Sequence, residues 1–363
     1  MLKIAMLSIR MKPEKENKNK MVDIMNIEPV KASTDISSYT SMIYGIPKIG
    51  KTTFVHDLYG DRVLFIATEK RHKVLVGAHV QYVSSWIEYL QVLAQLRNPK
   101  IKERYDTVAI DTVENLYRML EKYILSKYGK TEFGQVDWGK DWVDLKEDWA
   151  DNLQMIEKLG YTPVFILHAT QRTEKIPVSG ILEKDIDETM TLEKDKKTGE
   201  EYYEFLKYVP DLKDKVLAPI NKMVDNILFM TMTTDENLNE HRVIHLRESL
   251  QWQAGSTFKG IKPMIELSAD EYEKAVKDAI KLINPDQTKP EKEQIGMDEV
   301  GLNFDKLMKE ARELAMGFHE QERMDEVERI TDEVFGAGNK LTEAKSHQVE
   351  PLYIAVEKMK EAL

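Results

Sequence analysis

The stretch at residues 45–52 reads GIPKIGKT and matches the pattern G-x-x-x-x-G-K-[ST]. Gly45 and Gly50 permit the sharp backbone turn that brings N–H groups toward phosphate oxygens. Lys51 has the cation that reaches the β- and γ-phosphates of a nucleotide, and Thr52 has the hydroxyl that ligates Mg²⁺. The pattern therefore predicts a phosphate loop that binds ATP and Mg²⁺. The predicted nucleotide contacts are Gly45, Ile46, Pro47, Lys48, Ile49, Gly50, Lys51, Thr52 and Thr53.

Acidic side chains follow two apolar segments at the points where strands are predicted to end. The apolar run of residues 105–112, YDTVAIDT, ends at Asp111, and that of residues 63–70, VLFIATEK, leads to Glu69. In an open parallel sheet the carboxyl edge carries the ligand, so both side chains are expected beside the phosphate loop. We predict that Asp111 holds Mg²⁺ through water beside Thr52, and that Glu69 is the general base for the attacking water.

A third predicted strand ends in polar residues that suit a nucleotide sensor. Residues 163–172 read PVFILHATQR, which places His168 at the strand edge and Gln171 just after it. Either side chain is placed to hydrogen-bond the γ-phosphate and report its loss, although a purely structural histidine fits the same pattern. Glu114 follows the aspartate-tipped strand and is expected to face the next helix. The predicted catalytic residues are Glu69, Lys51, His168 and Gln171.

The elements that must position these side chains alternate along residues 39–285. Several apolar runs are continuous, as strands buried on both faces require. Segments with helical spacing lie between them, which indicates a doubly wound α/β fold. The last two strands lie too close for a crossover helix and predict an antiparallel extension of a mostly parallel sheet. The predicted strands are 41–45, 63–68, 80–85, 107–111, 163–168, 226–232 and 242–247, and the predicted helices are 86–97, 114–128 and 143–160.

Three further segments flank this predicted ATPase core. Residues 1–38 are polar and mixed in charge, and we expect them to form a flexible N-terminal arm. Residues 286–302 are rich in proline and charge and predict a linker. Residues 303–363 show three amphipathic stripes, which predict a C-terminal helical module. A bundle that closes on itself and a module that binds a partner or mediates oligomerisation are both compatible with those stripes.

Composition narrows the class of protein. The chain has 363 residues, 42% of them hydrophobic, which suits a soluble globular protein. It has no cysteine, which excludes disulfides and thiolate metal sites and suits a reducing cytoplasm. No apolar run approaches the roughly 20 residues of a membrane span, and the first residues are too interrupted for a secretory signal. The net charge of −11 argues against a strongly basic nucleic-acid binder but is compatible with a local basic groove.

Residues 39–268 resemble the RecA-like ATPase core, because four features follow one another in the same order as in that core. They are the phosphate loop, the glutamate, the aspartate-tipped strand and the polar strand end. The runs YGIPKIGKTTF, VAIDTVENL, FILHATQR and VPDLKDKVLAPINKMVDNILFM are similar to bacteriophage RecA-like ATPases, including single-strand annealing proteins. The resemblance implies a Mg²⁺-dependent, DNA-stimulated ATPase that forms a ring or filament of identical subunits on single-stranded DNA. It implies a role in recombination or replication, and a phage protein would act in the cytoplasm of its bacterial host.

The chain departs from RecA in two respects. Where RecA has an Asn-Gln pair, this chain has His168-Ala-Thr-Gln171, and it lacks the long Gly-rich insert that RecA uses for DNA pairing. DNA binding or annealing is therefore favoured over full strand exchange. RecA-like subunits often complete a neighbour's ATP site with a basic residue, and the candidates here are Arg242, Arg247 and Lys259.

The resemblance places DNA-binding loops after the aspartate strand and after His168. Residues 127–142, KYGKTEFGQVDWGKDW, interleave lysines with aromatic rings, which suits phosphates and unstacked bases. Tryptophans packed in the core are the alternative interpretation. Residues 171–209 begin with basic side chains, turn acidic, and predict a hairpin around Lys197–Thr198–Gly199. The predicted DNA contacts are Lys130, Phe133, Trp138, Lys140 and Arg172.

Three functions fit these features. The first is a DNA-stimulated ATPase that anneals or handles single-stranded DNA. The second is a nucleotide-gated assembly factor with weak ATPase activity, which recruits replication or recombination proteins through its C-terminal helices. The third is a helicase or loader with the same core. A kinase of small metabolites fits less well, because the sequence has no evident lid segment.

Overall fold

The computed structural model describes residues 32–235, 237–283, 304–336, 338–345 and 348–363. The chain divides into two compact units, whose described parts are residues 32–283 and 304–363. The predicted linker lies wholly outside the described residues, as does the predicted arm up to residue 31, so these remain predictions. Residues 32–38 of the predicted flexible arm pack on the core instead: Ile36 is buried, and the Ser37 carbonyl oxygen accepts from Oγ1 of Thr162, so this part of the prediction is wrong. Among the helices of the described ranges, none has the length and hydrophobicity needed to cross a bilayer.

The first unit is built on a mostly parallel central sheet, as the sequence predicted. Six strands lie side by side in parallel in the order β8-β1-β5-β4-β2-β3. β9 pairs antiparallel with β8 and continues the sheet to β11, which confirms the predicted antiparallel extension. The strands are β1 Ser41–Gly45, β2 Val63–Ala67, β3 His79–Tyr82, β4 Thr107–Asp111, β5 Thr162–Pro177, β6 Thr191–Lys194, β7 Glu201–Pro210, β8 Asn226–Thr234, β9 Glu240–His245, β10 Gly255–Ser256 and β11 Met264–Glu266.

Helices cover both faces of this sheet because its central strands are apolar on both faces. In β1, Tyr44 belongs to one buried cluster and Ile43 to the other, as alternation along a strand requires. Helices α1 and α7 pack on the Ile43 face, where Phe54 and Tyr272 meet edge to face. Helices α2, α4, α5 and α6 pack on the Tyr44 face. The helices of this unit are α1 Lys51–Tyr59, α2 Trp86–Leu96, α3 Pro99–Arg104, α4 Val113–Lys127, α5 Lys140–Lys158, α6 Asp214–Met223 and α7 Ala269–Ile283.

Strand β5 does not end at His168, and this part of the prediction is wrong. The strand runs on to Pro177 because its second half leaves the parallel sheet and pairs antiparallel with β7, from Ala169 opposite Pro210 onward. Strand β6 adds to the other edge of β7. The turn between β6 and β7 contains Gly199, so the predicted hairpin is confirmed. We call the three-stranded extension formed by residues 169–210 the ribbon.

The second unit is a bundle of three helices with a core of its own. The helices are α8 Phe304–Glu320, α9 Met324–Phe335 and α10 Val349–Ala362. Phe318, Ile330 and Val356, one from each helix, are buried together in its core. Helix α9 ends before Gly336, whose φ of 91° suits glycine. In the described residues the amphipathic stripes therefore close on one another, and docking of a partner on this bundle remains a prediction.

Candidate nucleotide-binding site

The phosphate-loop motif lies at a tight connection between β1 and α1. The sheet leaves no room for a side chain at Gly45, where a Cβ atom would lie 2.3 Å from the carbonyl oxygen of Met230 on β8. Gly50 precedes α1 with φ of 116°, a conformation that disfavours other residues. No side chain in the described part of the protein caps the first turn of α1, so its N–H groups face the loop with the partial positive charge of a helix start. These features suit a bound phosphate chain.

Lys51 is buried at the start of α1. Its Nζ donates hydrogen bonds to the carbonyl oxygens of Gly45, at 2.9 Å, and Ile46, at 3.1 Å. Burial lowers the pKa of the Lys51 ammonium, and the nearby carboxylates of Asp111 and Glu114 offset part of that effect. The cation is therefore held by two carbonyl groups inside the loop, from which phosphate oxygens can take over its hydrogen bonds.

The structure brings together the two residues predicted to hold the metal. Oγ1 of Thr52 donates to Oδ2 of Asp111 at 2.8 Å. A hydroxyl and a carboxylate are hard oxygen ligands of the kind that Mg²⁺ selects, usually together with phosphate oxygens and water. Nε2 of His72 lies 3.0 Å from the same Asp111 oxygen and is buried. Sequence reasoning missed His72, because no spacing relates it to an aspartate 39 positions away.

Glu69 lies at the same edge of the sheet, just beyond β2. The backbone N–H of the preceding residue, Thr68, donates to the carbonyl oxygen of Asp111 at 2.8 Å, which holds this segment beside the end of β4. Oε1 of Glu69 accepts from Nδ2 of Asn115 at 2.7 Å, and Oε2 pairs with Nε of Arg71 at 2.7 Å. The side chain is 26% exposed, so water can reach the carboxylate.

Glu114 is a second carboxylate at this edge, and the expectation that it faces the next helix is wrong. It stands in the first turn of α4, only three residues past Asp111, and is buried. Its Oε1 hydrogen-bonds Nδ1 of His168 and accepts from the backbone N–H of His168 at 3.3 Å. Its Oε2 is buried and has no partner among the described residues. The contact arises because β5, which carries His168, lies directly beside β4.

His168 itself lies where the sequence predicted, beside the phosphate loop. It is opposite Gly45 in the parallel ladder between β5 and β1. The residues after it are inside the ribbon rather than in a loop. Gln171 is exposed and opposite Tyr208, and Arg172 donates to the carbonyl oxygen of Leu212 and to the carboxylate of Asp214. His168 is thus the member of this predicted sensor group that the fold places against the loop.

The candidate interface cations have different surroundings. Arg247 donates to the carbonyl oxygen of Ser256 at 3.0 Å and to that of Phe258, so it fastens its own loop. Lys259 is exposed. Arg242 projects from β9 beside Gly50 of its own chain. Arg242 therefore lies beside the phosphate loop of its own chain, and the expected role at a neighbour's site stays a prediction.

The predicted DNA-binding loop at residues 127–142 presents aromatic rings to solvent. Trp138 is fully exposed, at 101% of the reference area, so it does not pack in the core. Trp142 is half-exposed and packs against Phe133, with ring centroids 4.7 Å apart and ring planes inclined by 34°. Lys130 and Lys140 are exposed. The structure therefore rejects the core-packing interpretation for Trp138 and supports it in part for Trp142.

Comparison with known proteins supports a nucleotide-binding P-loop domain for the core and leaves the RecA-like resemblance untested. A family model described as AAA domain matches residues 37–258, which is more than half of the chain and includes the phosphate loop and the β4 and β5 strands. The SPbeta prophage-derived uncharacterized protein YorG of Bacillus subtilis (strain 168) is 25% identical over 359 residues. That alignment covers 94% of this chain and 99% of YorG. By the family match, this chain belongs to the AAA domain family of P-loop proteins.

Proposed function

We propose that this protein binds ATP with Mg²⁺ at residues 45–52, hydrolyses it, and uses that cycle to handle single-stranded DNA in phage recombination or replication. The contact between Thr52 and Asp111, beside the buried cation of Lys51, is the observation that carries the proposal. It assembles a phosphate ligand and two hard metal ligands at the carboxyl edge of a parallel sheet, where α/β folds bind their ligands. AAA-domain membership supports nucleotide binding independently.

The residues of the site divide the chemical work between them. Lys51 would transfer its hydrogen bonds from loop carbonyls to the β- and γ-phosphates, and Thr52 and Asp111 would hold the metal. Mg²⁺, when bound, would neutralise charge that develops on the phosphate oxygens. Glu69 would orient the attacking water, because its carboxylate is accessible and lies at the same edge. His168 would face the γ-phosphate with Nε2, since its Nδ1 is held by Glu114.

Glu114 is the alternative for the water-activating role, since it is closer in sequence to Asp111 and its Oε2 has no partner among the described residues. Its burial and its hydrogen bond to His168 favour a positioning role instead. In that role Glu114 fixes one ring nitrogen of His168 and orients the other. Changes in the γ-phosphate would then reach the ribbon, because His168 is the last residue of β5 that pairs with β1 before the ribbon begins.

The aromatic loop at residues 127–142 supports single-stranded DNA as the partner. Exposed aromatic faces stack on bases without sequence preference, and adjacent lysines attract the phosphates. Trp138, Lys130 and Lys140 are all exposed. The related protein YorG is described as prophage-derived, which supports phage origin for this chain. Assembly into a homo-oligomer is part of the same proposal.

A nucleotide-gated assembly factor is the second candidate. The observation that favours it is the C-terminal bundle, which has its own core and is a separate compact unit that can recruit a protein partner. The loop at residues 127–142 also has a compensated cation, since Lys127 pairs with Asp144 at 2.7 Å. Both features fit an ATP-dependent protein that does not itself act on DNA.

ATP hydrolysis measured with and without single-stranded DNA separates these functions. The wild type should turn over ATP faster when single-stranded DNA is added, and Lys51→Ala and Glu69→Gln should lose this stimulated rate. Tight ATP binding with negligible turnover that DNA leaves unchanged would favour the assembly factor. Directional unwinding of a tailed duplex would favour a helicase.

A further inference from the structure

The two sides of the phosphate loop differ in chemistry. Strand β1, which leads into the loop, lies between β5 and β8. On the β5 side lies Asp111, the predicted metal ligand, which is the last residue of the adjacent strand β4. The hydrogen-bonded pair of Glu114 and His168 lies on the same side. Since Mg²⁺ bridges the β- and γ-phosphates, a triphosphate bound with its metal on that side would extend its α-phosphate and nucleoside toward the other side. That side is formed by β8, β9 and β11.

Arg242 on β9 reaches the loop from this second side. A methyl group placed on Gly50 would lie 3.8 Å from Nη1 of Arg242 and 3.9 Å from Cδ2 of Leu267. Leu267 is fixed next to Arg242 because its backbone N–H donates to the Arg242 carbonyl oxygen at 2.8 Å. A cation and an apolar side chain thus flank the glycine that precedes the loop lysine.

The guanidinium of Arg242 has no hydrogen bond or ion pair among the residues that the structure describes. Its neighbour His241 pairs with Asp235 at 3.2 Å, and Glu266 lies opposite Val243 rather than opposite Arg242. Arg247, only five residues later, fastens two carbonyl groups with its guanidinium. An exposed arginine that has no partner among the described residues and lies beside the phosphate loop is well suited to bind a phosphate.

We propose that Arg242 binds the nucleotide of its own chain, through the α- and β-phosphates, with Leu267 against the nucleoside. This inference rests on the proposed function, because it requires a nucleotide in the loop. It differs from the sequence-based expectation that Arg242 completes a neighbouring subunit's site. A contact to the α- and β-phosphates stabilises ADP and ATP alike, whereas a contact to the γ-phosphate stabilises ATP alone.

The test compares affinities for fluorescent ADP and ATP analogues, with Mg²⁺, in the wild type, Arg242→Ala, Arg242→Lys and Arg97→Ala. Arg97 is a matched control, because it is an exposed arginine at the end of α2, on the opposite face of the sheet from α1. Arg242→Ala should weaken both nucleotides about tenfold. Arg242→Lys should recover part of the loss, and Arg97→Ala should match the wild type.

Unchanged ADP affinity in a folded Arg242→Ala protein would overturn the inference, and so would a loss confined to ATP. Failure of the wild type to bind either nucleotide would instead contradict the proposed function. Mixing Arg242→Ala with Lys51→Ala subunits tests the assignment to one chain. The mixture should bind no more nucleotide than its two components do separately, and restored tight sites would show that Arg242 acts on a neighbour.

Discussion

The metal edge of the phosphate loop and the aromatic loop at residues 127–142 are built in opposite ways. At the metal edge, Lys51, Asp111 and Glu114 are buried and hydrogen-bonded within the protein. In the aromatic loop, Trp138 is fully exposed and its flanking lysines project into solvent. In the first region, hydrogen bonds within the protein already hold the candidate ligand-binding side chains. In the second region the largest side chain, Trp138, has no partner among the described residues.

This difference indicates how substitutions should act in each region. Buried polar groups in a hydrogen-bonded site affect one another, because removal of one partner leaves another unsatisfied. An exposed side chain contributes little to stability, so its removal should affect only the affinity for a partner that contacts it. Substitutions at the metal edge should therefore change nucleotide chemistry, and substitutions at Trp138 should change partner binding alone. The predictions below test that separation.

The largest effect is expected for Lys51→Ala. Removal of the cation should weaken MgATP binding by about 100-fold or more, because charge-assisted hydrogen bonds to the phosphates are lost. The thermal midpoint should change little, because the relief of burying this ammonium group is offset by the loss of its hydrogen bonds to the loop carbonyls. Calorimetric titration and a thermal melt measure the two quantities. An unchanged affinity for MgATP would contradict the assigned role of Lys51.

The effect expected for Asp111→Asn on ATP affinity depends on the metal. With Mg²⁺ present, the variant should bind ATP about tenfold more weakly than the wild type, because a carboxylate ligand becomes a neutral amide. In excess EDTA the two proteins should bind ATP equally. A loss of affinity of the same size with and without Mg²⁺ would mean that Asp111 acts on folding of the loop rather than on the metal.

Substitutions of the two carboxylates at this edge, Glu69 and Glu114, should have different effects on the rate of ATP turnover. Glu69→Gln should lower the turnover rate by about 100-fold with nearly normal ATP affinity, as loss of a general base does. Glu114→Gln should lower it by only about tenfold, through the orientation of His168. Steady-state rates and nucleotide affinities for both variants provide the comparison. The reverse order would transfer the water-activating role to Glu114.

The smallest effects are expected in the aromatic loop, where two tryptophans form a matched pair. Trp138→Ala should weaken single-stranded DNA binding by about tenfold and leave the thermal midpoint and the basal ATPase rate unchanged. Trp142→Ala should lower the free energy of unfolding by about 1 kcal/mol, because it removes the ring contact with Phe133. Fluorescence anisotropy with labelled oligonucleotides and thermal melts measure these effects. A lower thermal midpoint for Trp138→Ala would mean that Trp138 stabilises the fold, which would contradict the proposed difference between the two regions.

Local sequence predicted the central strands and the loop between β1 and α1 closely. The bounds of β1 and β4 match the prediction to the residue, because each is a continuous apolar run that ends at a polar or glycine residue. The Thr52–Asp111 contact was also predictable, since a parallel sheet brings strand ends to one edge.

Contacts between residues far apart in the sequence were not predictable in the same way. The length of β5 depends on pairing with β7, from Ala169 with Pro210 to Pro177 with Tyr202, and its exposed half has no apolar pattern to reveal it. The Glu114–His168 and His72–Asp111 contacts join residues 54 and 39 positions apart. Such contacts follow from strand order, and strand order is not written in any local stretch of the chain.

The most direct test of the central claim is a structure determined with Mg²⁺ and a non-hydrolysable ATP analogue at saturating concentration. The account predicts phosphates within residues 45–52, Nζ of Lys51 moved from the loop carbonyls to phosphate oxygens, and the metal beside Thr52 and Asp111. An empty loop under these conditions, with Lys51 still bound to the carbonyl oxygens of Gly45 and Ile46, would contradict it.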